Sequence, residues 1–131
     1  MYKKLLTKQE ERVMEWFWAS EFPLTSKDVL QRLSGAEWTG SYVYSVLRAL
    51  IEKGLITECG QIRGKAQYMR EFRVCFTKEE YFVRLAYANR IDAESFIRFA
   101  AMEAVQESSP EKVQRWLAES RTYLKNKTKI R

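Results

Sequence analysis

The stretch from Trp38 to Arg70, WTGSYVYSVLRALIEKGLITECGQIRGKAQYMR, most constrains what this chain can fold into. Val43, Val46, Leu47, Leu50 and Ile51 recur at helical spacing and predict the buried stripe of a helix from about Gly40 to Lys53, with Thr39 as N-cap. Gly54 ends that helix. Leu55–Cys59 and Ala66–Val74 then read as strands around the basic turn Gly60–Lys65, which has glycines for unusual dihedrals. A helix followed at once by a basic hairpin is the arrangement that lets a winged helix enter the major groove while the hairpin touches the neighbouring backbone.

Two capped helices precede this segment. Thr7-Lys8-Gln9-Glu10 is a capping box that opens a helix from about Lys8 to Ala19, with Val13, Met14 and Phe17 on one stripe and Trp16 and Trp18 widening the core face. Pro23 stops it near Glu21 and Phe22. Thr25-Ser26-Lys27-Asp28 opens a short helix to about Leu33, ended by Ser34-Gly35. Ala36 and Glu37 then lead into Trp38. This order is the one a helix-turn-helix needs.

A third box, Thr77-Lys78-Glu79-Glu80, begins an all-helical part. Its apolar residues are Tyr81, Phe82, Leu85 and Ala86, followed by an Asp92-capped helix with Phe96, Ile97, Phe99, Ala100, Ala104 and Val105. Ser109-Pro110 starts a last helix carrying Val113, Trp116, Leu117 and Leu124. Three short helices with so much aromatic area make a poor independent core, which points to a second copy. The expected fold is mainly α with one small β-hairpin. A winged helix-turn-helix domain at 1–75 precedes a helical dimerisation domain at 76–131. The dimer face is Tyr81, Phe82, Leu85, Phe96, Phe99, Val113, Trp116, Leu117 and Leu124. The alternative is a monomer whose last helices fold back on the winged helix.

Charge matters by position. The chain carries 23 Lys+Arg against 17 Asp+Glu, a net +6, and its pI is near 9.4, which favours an anionic partner. Between Gly60 and Arg73, Arg63, Lys65, Arg70 and Arg73 stand against Glu71 alone. The tail from Arg121 to Arg131 is basic without an acid and reads as a solvated end, with non-specific phosphate contact as the weaker option. At 100° per residue the exposed face of the third helix holds Ser41, Ser45, Arg48 and Glu52, with Tyr42 and Tyr44 on its flanks. The candidate contacts to double-stranded DNA are therefore Thr39, Ser41, Tyr42, Tyr44, Ser45, Arg48, Arg63 and Lys65. Backbone N–H groups at Thr39 to Ser41 can take a phosphate directly. Against this, Tyr42 or Tyr44 can instead pack on the first helix, and a helix face with one arginine opposed by Glu52 also suits a protein-interaction module.

With two cysteines, Cys59 and Cys75, and no histidine, a zinc site and a His-dependent catalytic set are excluded. The adjacent pairs Glu10-Glu11 and Glu79-Glu80 sit at helix starts, where they serve capping, so neither an enzyme nor a cofactor is expected. No signal peptide and no apolar run of about 20 residues is visible, so the expected location is the cytosol, with no membrane insertion and both thiols reduced.

From Leu6 to about Leu124 the chain resembles the penicillinase-repressor family of bacterial regulators. The resemblance rests on LTKQEERVMEWFW, TSKDVLQRL, and WTGSYVYSVLRALIEKGLI followed by a wing ending in QYM. The third motif is similar to the family pattern W-[ST]-x-x-T-[IV]-x-[ST]-x-[LI]-x-R-L-x-x-K-G. It implies a homodimeric winged-helix repressor, each subunit reading half of an inverted repeat, with the dimer built by the C-terminal helices. In members tied to antibiotic sensing, a membrane sensor-protease system leads to cleavage in that region. The family's cut precedes a Phe that follows an Asn. Phe99 matches, and Arg98 stands where the Asn would be, which makes Arg98-Phe99 the candidate cleavage site. Tyr42 replaces the family threonine, Tyr44 a common arginine, and the R-L pair becomes Ala49-Leu50 with Arg48 one position earlier, so the operator sequence does not carry over. The paired Cys-x-Cys motifs of copper-responsive members have no counterpart. A further reading is a ligand-responsive regulator holding a small apolar molecule among Tyr81, Phe82, Tyr87, Phe96 and Phe99.

Overall fold

A computed structural model describes residues 6–33, 38–64 and 67–130, with side chains through 127. The stretch 34–37, where a turn is expected, and Lys65, one of the expected phosphate contacts, lie outside the described residues. The elements are α1 (Lys8–Ala19), α2 (Ser26–Arg32), α3 (Gly40–Glu52), β1 (Ile56–Arg63), β2 (Tyr68–Val74), α4 (Lys78–Ala88), α5 (Ala93–Glu107) and α6 (Pro110–Ile130). They form two compact units, Met1–Asn89 and Arg90–Arg131.

Three helices begin on full capping boxes. Thr7, Thr25 and Thr77 each accept the backbone N–H of Glu10, Asp28 or Glu80, whose carboxylates accept the cap's own N–H, at 2.9 to 3.2 Å. Such caps are worth about 1 kcal/mol each. α3 ends on a Schellman turn. Gly54 sits at φ +78°, the Leu55 N–H donates to the Leu50 carbonyl at 2.9 Å, and the Gly54 N–H donates to the Ile51 carbonyl at 3.0 Å.

Val13, Met14 and Phe17 of α1 meet Val43, Val46, Leu47 and Leu50 of α3 in a core completed by Leu24, Val29, Leu55, Ile56 and Phe72. Two expected core residues are not in it. Trp16 is 39% exposed, on the flank of the α1 stripe, and Ile51 is 38% exposed in the last turn of α3. A polar pair lies at the edge of this core. Glu10 is buried, and its carboxylate takes the Lys53 ammonium at 2.5 Å, tying α1 to the end of α3. Burial pushes the Glu10 carboxyl up, but the hydrogen bonds from Lys53 and Thr7 and the Lys53 charge outweigh it and hold it below its ordinary value of 4.5.

The wing is an antiparallel pair in which Ile56 opposes Val74, Glu58 opposes Phe72, Gln61 opposes Arg70 and Arg63 opposes Tyr68. β1 runs past the expected end at Cys59, because Gly60 to Arg63 still pair with Glu71 to Tyr68. The register shifts between Glu58 and Gly60, leaving Cys59 as a bulge. One extra residue reverses the inward–outward alternation. Glu58 lies on the face of Phe72, and beyond the bulge Gln61 and Arg63 come to that same face, beside Arg70 and Tyr68. A second unexpected feature anchors the hairpin. Leu24, extended after Pro23, pairs with Phe72 through N–H···O bonds of 2.9 and 2.8 Å in both directions.

α4 belongs to the first unit, so that unit extends to Asn89, beyond the boundary at 75 expected from sequence. Tyr81 is 2% exposed, with its ring 5.4 Å from Trp18 and 5.1 Å from Phe82, and the Trp18 indole N–H donates to the Phe76 carbonyl at 3.3 Å. Tyr81, expected at the dimer face, is instead core, because the flank of α1 supplies the apolar partner that the reading of the sequence assigned to a second copy. Leu85 is partly buried against the same core. In the second unit α5 has no buried residue, while Val113 of α6 is 5% exposed.

The Glu10 pair sets a pH dependence. The folded carboxyl titrates below its unfolded value, so its contribution is complete above about pH 4.5 and is lost as pH falls through the depressed folded value. Glu10→Gln should lower stability at neutral pH and flatten the acid limb of a plot of urea midpoint against pH. Parallel acid limbs for the two proteins would contradict the pairing.

Candidate nucleic-acid interface

The outer surface of α3 is built by the same periodicity that buries its inner one. Ser41, Ser45, Arg48 and Glu52 are all exposed. At the start of the helix Thr39 is extended, and its hydroxyl accepts the Tyr42 N–H at 3.1 Å. The Gly40 and Ser41 N–H groups, in the first turn, have no intrahelical acceptor. They point along the positive end of the helix dipole, a geometry suited to an oxyanion.

Neither flanking tyrosine is idle. Tyr42 is 42% exposed, and its ring lies 5.0 Å from that of Trp38. Trp38 is buried, carries the Arg12 guanidinium over its ring at 5.3 Å, and its indole N–H has no hydrogen-bond partner. Tyr44, 38% exposed, faces the wing. The Arg48 and Arg70 guanidinium carbons lie 5.4 and 5.3 Å from its ring centre. Arg70 also lies 5.5 Å from the Phe72 ring and pairs with Glu58 at 3.6 Å. That pair is more than a third exposed on both sides, so it is worth at most about 1 kcal/mol.

Between α3 and β2 runs a groove of about 380 Å³ with Leu47, Ile51 and Phe72 at its floor and Tyr44, Arg48, Glu52 and Arg70 around it. Arg63, exposed near the wing tip, shares the hairpin face of Arg70 through the bulge. The tip is closed by the Gly64 N–H donating to the Gln67 carbonyl at 2.8 Å. Arg48 on α3 and Arg63 on β1 are thus exposed on neighbouring elements of one unit. Arg70, absent from the candidates drawn from sequence, joins them. The signal for it was present, since Arg70 stands two residues before Phe72 and a strand puts i and i+2 on one face.

Other expected sites are placed as follows. Phe82, Phe99, Trp116, Leu117 and Leu124 are 45 to 62% exposed. Phe96 and Phe99 line an open cleft of about 450 Å³ with Ile91, Asp92 and Glu103. Arg98 faces outward and pairs with Glu94 at 2.7 Å. Among the described residues no cluster of His, Cys, Asp or Glu could hold a metal ion, and no helix is long and apolar enough to cross a membrane.

Helices, wing and exposed cations together have the shape of a nucleic-acid reader, and the family comparison says of which kind. The penicillinase repressor family model matches residues 6–80, more than half of the 131-residue chain. This chain belongs to the penicillinase repressor family. It is a DNA-binding transcriptional repressor by that membership, and the matched span takes in all of the α3 and wing residues described above. α5 and α6 lie beyond the match. No curated protein sequence matches the repressor.

The wing tip supplies a direct check. A Cβ added to Gly64 would lie 2.9 Å from the Gln67 carbonyl oxygen, closer than real contacts allow. Gly64→Ala should therefore speed amide exchange at Gly64 and Arg63 while leaving the helical amides of α1 and α3 unchanged. Unaltered exchange at the tip would show that the turn is not closed as described.

Proposed function

We propose that the repressor acts as a homodimer on an inverted-repeat operator, each subunit placing α3 in the major groove of one half-site and its wing on the flanking backbone. The carrying observation is that Arg48 of α3 and Arg63 of the adjacent wing are both exposed, on a unit that also exposes the open start of α3. Ser41, Ser45 and Tyr42 are the base-edge candidates at the N-terminal half of α3, where helix-turn-helix proteins read sequence. Thr39, Arg63 and Lys65 act on phosphates and set position.

Dimerisation is supported by the second unit. α5 buries none of its side chains, and Ile97, Phe99, Met102, Trp116 and Leu117 are 45 to 62% exposed on α5 and α6. Apolar area on that scale is the mark of a surface that meets another protein. Of the remaining expected positions in this unit, Phe96 and Leu124 extend the proposed interface, while Val113, 5% exposed, is buried. Cleavage at Arg98-Phe99, in the middle of α5, is the proposed route to derepression. It would divide the helix that carries much of this face, and a membrane sensor-protease system is the partner it would require.

The test is a footprint on the repressor's own promoter combined with sedimentation at matching concentrations. A dimer protecting two symmetric half-sites, about 10 base pairs apart or a multiple of it, is expected. Arg48→Ala combined with Arg63→Ala should weaken binding and flatten the slope of log K against log salt by about two per subunit, about four for the dimer. A monomer that protects one asymmetric site would contradict the proposal.

A further inference from the structure

Two like charges converge on one ring in the groove between α3 and the wing. Arg48 comes from α3 and Arg70 from β2, and both guanidinium groups lie within 5.5 Å of the centre of Tyr44. Both line the same half-open groove over an apolar floor of Leu47, Ile51 and Phe72. Among the described residues Arg48 has no ion pair, and Arg70 has only the long, half-exposed contact with Glu58. Glu52 also lines the groove, so the site is not purely cationic. A guanidinium held beside an aromatic ring at this distance keeps N–H donors available to a further acceptor. Two such forks from different elements, each oriented before any partner arrives, match the several oxygens of one phosphodiester.

We propose that Tyr44 aligns Arg48 and Arg70 as a clamp on a single DNA backbone phosphate between the recognition helix and the wing. Arg70 is then a DNA contact rather than a support of the hairpin alone, and Glu58 holds it in place until the phosphate displaces the carboxylate. The clamp reads no base. Its work is to fix how deeply α3 sits in the groove, which links the wing to the register of the helix. The inference rests on the DNA-binding reading and adds a specific phosphate contact to it.

The experiment uses the full chain and a fluorescently labelled random-sequence duplex, with affinity followed by anisotropy across a salt series. A phosphate contact does not require the operator. Arg70→Gln should weaken binding about tenfold and reduce the salt slope by about one per bound subunit. Arg70→Lys keeps the charge, so the slope should stay near that of the wild type while affinity falls less. Arg48→Gln added to Arg70→Gln should cost less than the sum of the two single changes, because both forks serve one phosphate. Glu58→Gln should tighten binding two- to threefold, a gain that damage to the fold cannot imitate. Thermal melts of each variant accompany the titrations. A slope unchanged by Arg70→Gln, or Glu58→Gln leaving affinity unmoved, with the wild type binding normally, would overturn the clamp while leaving the repressor reading intact. Absence of wild-type binding would remove both.

Discussion

The pairing of Leu24 with Phe72 is the constraint on which the rest of the first unit depends. A two-stranded hairpin is marginal in water on its own. Here the short extended segment after Pro23 exchanges two backbone hydrogen bonds with β2, and the ring of the same Phe72 enters the core at 2% exposure. Backbone and side chain of one residue therefore dock the wing onto α1 and α3. Truncating a buried phenylalanine of this kind costs about 3 to 5 kcal/mol, a large share of the stability of a domain this size. Because Phe72 is fixed, Arg70 two residues earlier is fixed beside Tyr44, and the charges of the wing are carried at a set distance from α3.

The helices were legible because their signals are local. Three threonine caps with their carboxylates marked the starts of α1, α2 and α4, and Thr39 and Gly54 bounded the stripe of α3 to within about a residue. The wing was legible only as a hairpin. Its bulge at Cys59 carries no composition cue, yet it decides which face Arg63 occupies. Strict alternation from Ile56 would have put Ile62 opposite Tyr68 on the face of Arg70, and Arg63 on the other face. The Leu24 bridge was invisible for a different reason, since one extended residue between two helices has no period to detect. Tyr81 was misplaced because α4 is amphipathic either way. Nothing in its own sequence says whether Trp18 or another chain will cover it.

The two units illustrate different balances. In the first, α1 to α4 and the wing share a core of fully buried apolar side chains, although Phe22, Ile51, Ile62, Phe82 and Val83 stay exposed beside the polar and cationic groups. In the second, apolar side chains outnumber the places to hide them, and α5 buries none. That contrast fits a division of labour in which one unit meets DNA and the other meets a protein surface. The proposed dimer would make affinity for DNA depend on concentration through the second unit, since a dimer binds two half-sites with one association cost.

Native-state amide exchange measures the Leu24–Phe72 anchor most directly. If the wing is part of the cooperative core, the Leu24 and Phe72 amides will open only with global unfolding, at the same free energy and denaturant dependence as Leu50 in α3. If both amides instead exchange through a low-energy local opening along with Gly64 at the tip, the wing is loosely tethered, and the preset array of arginines beside α3 does not exist in the free protein.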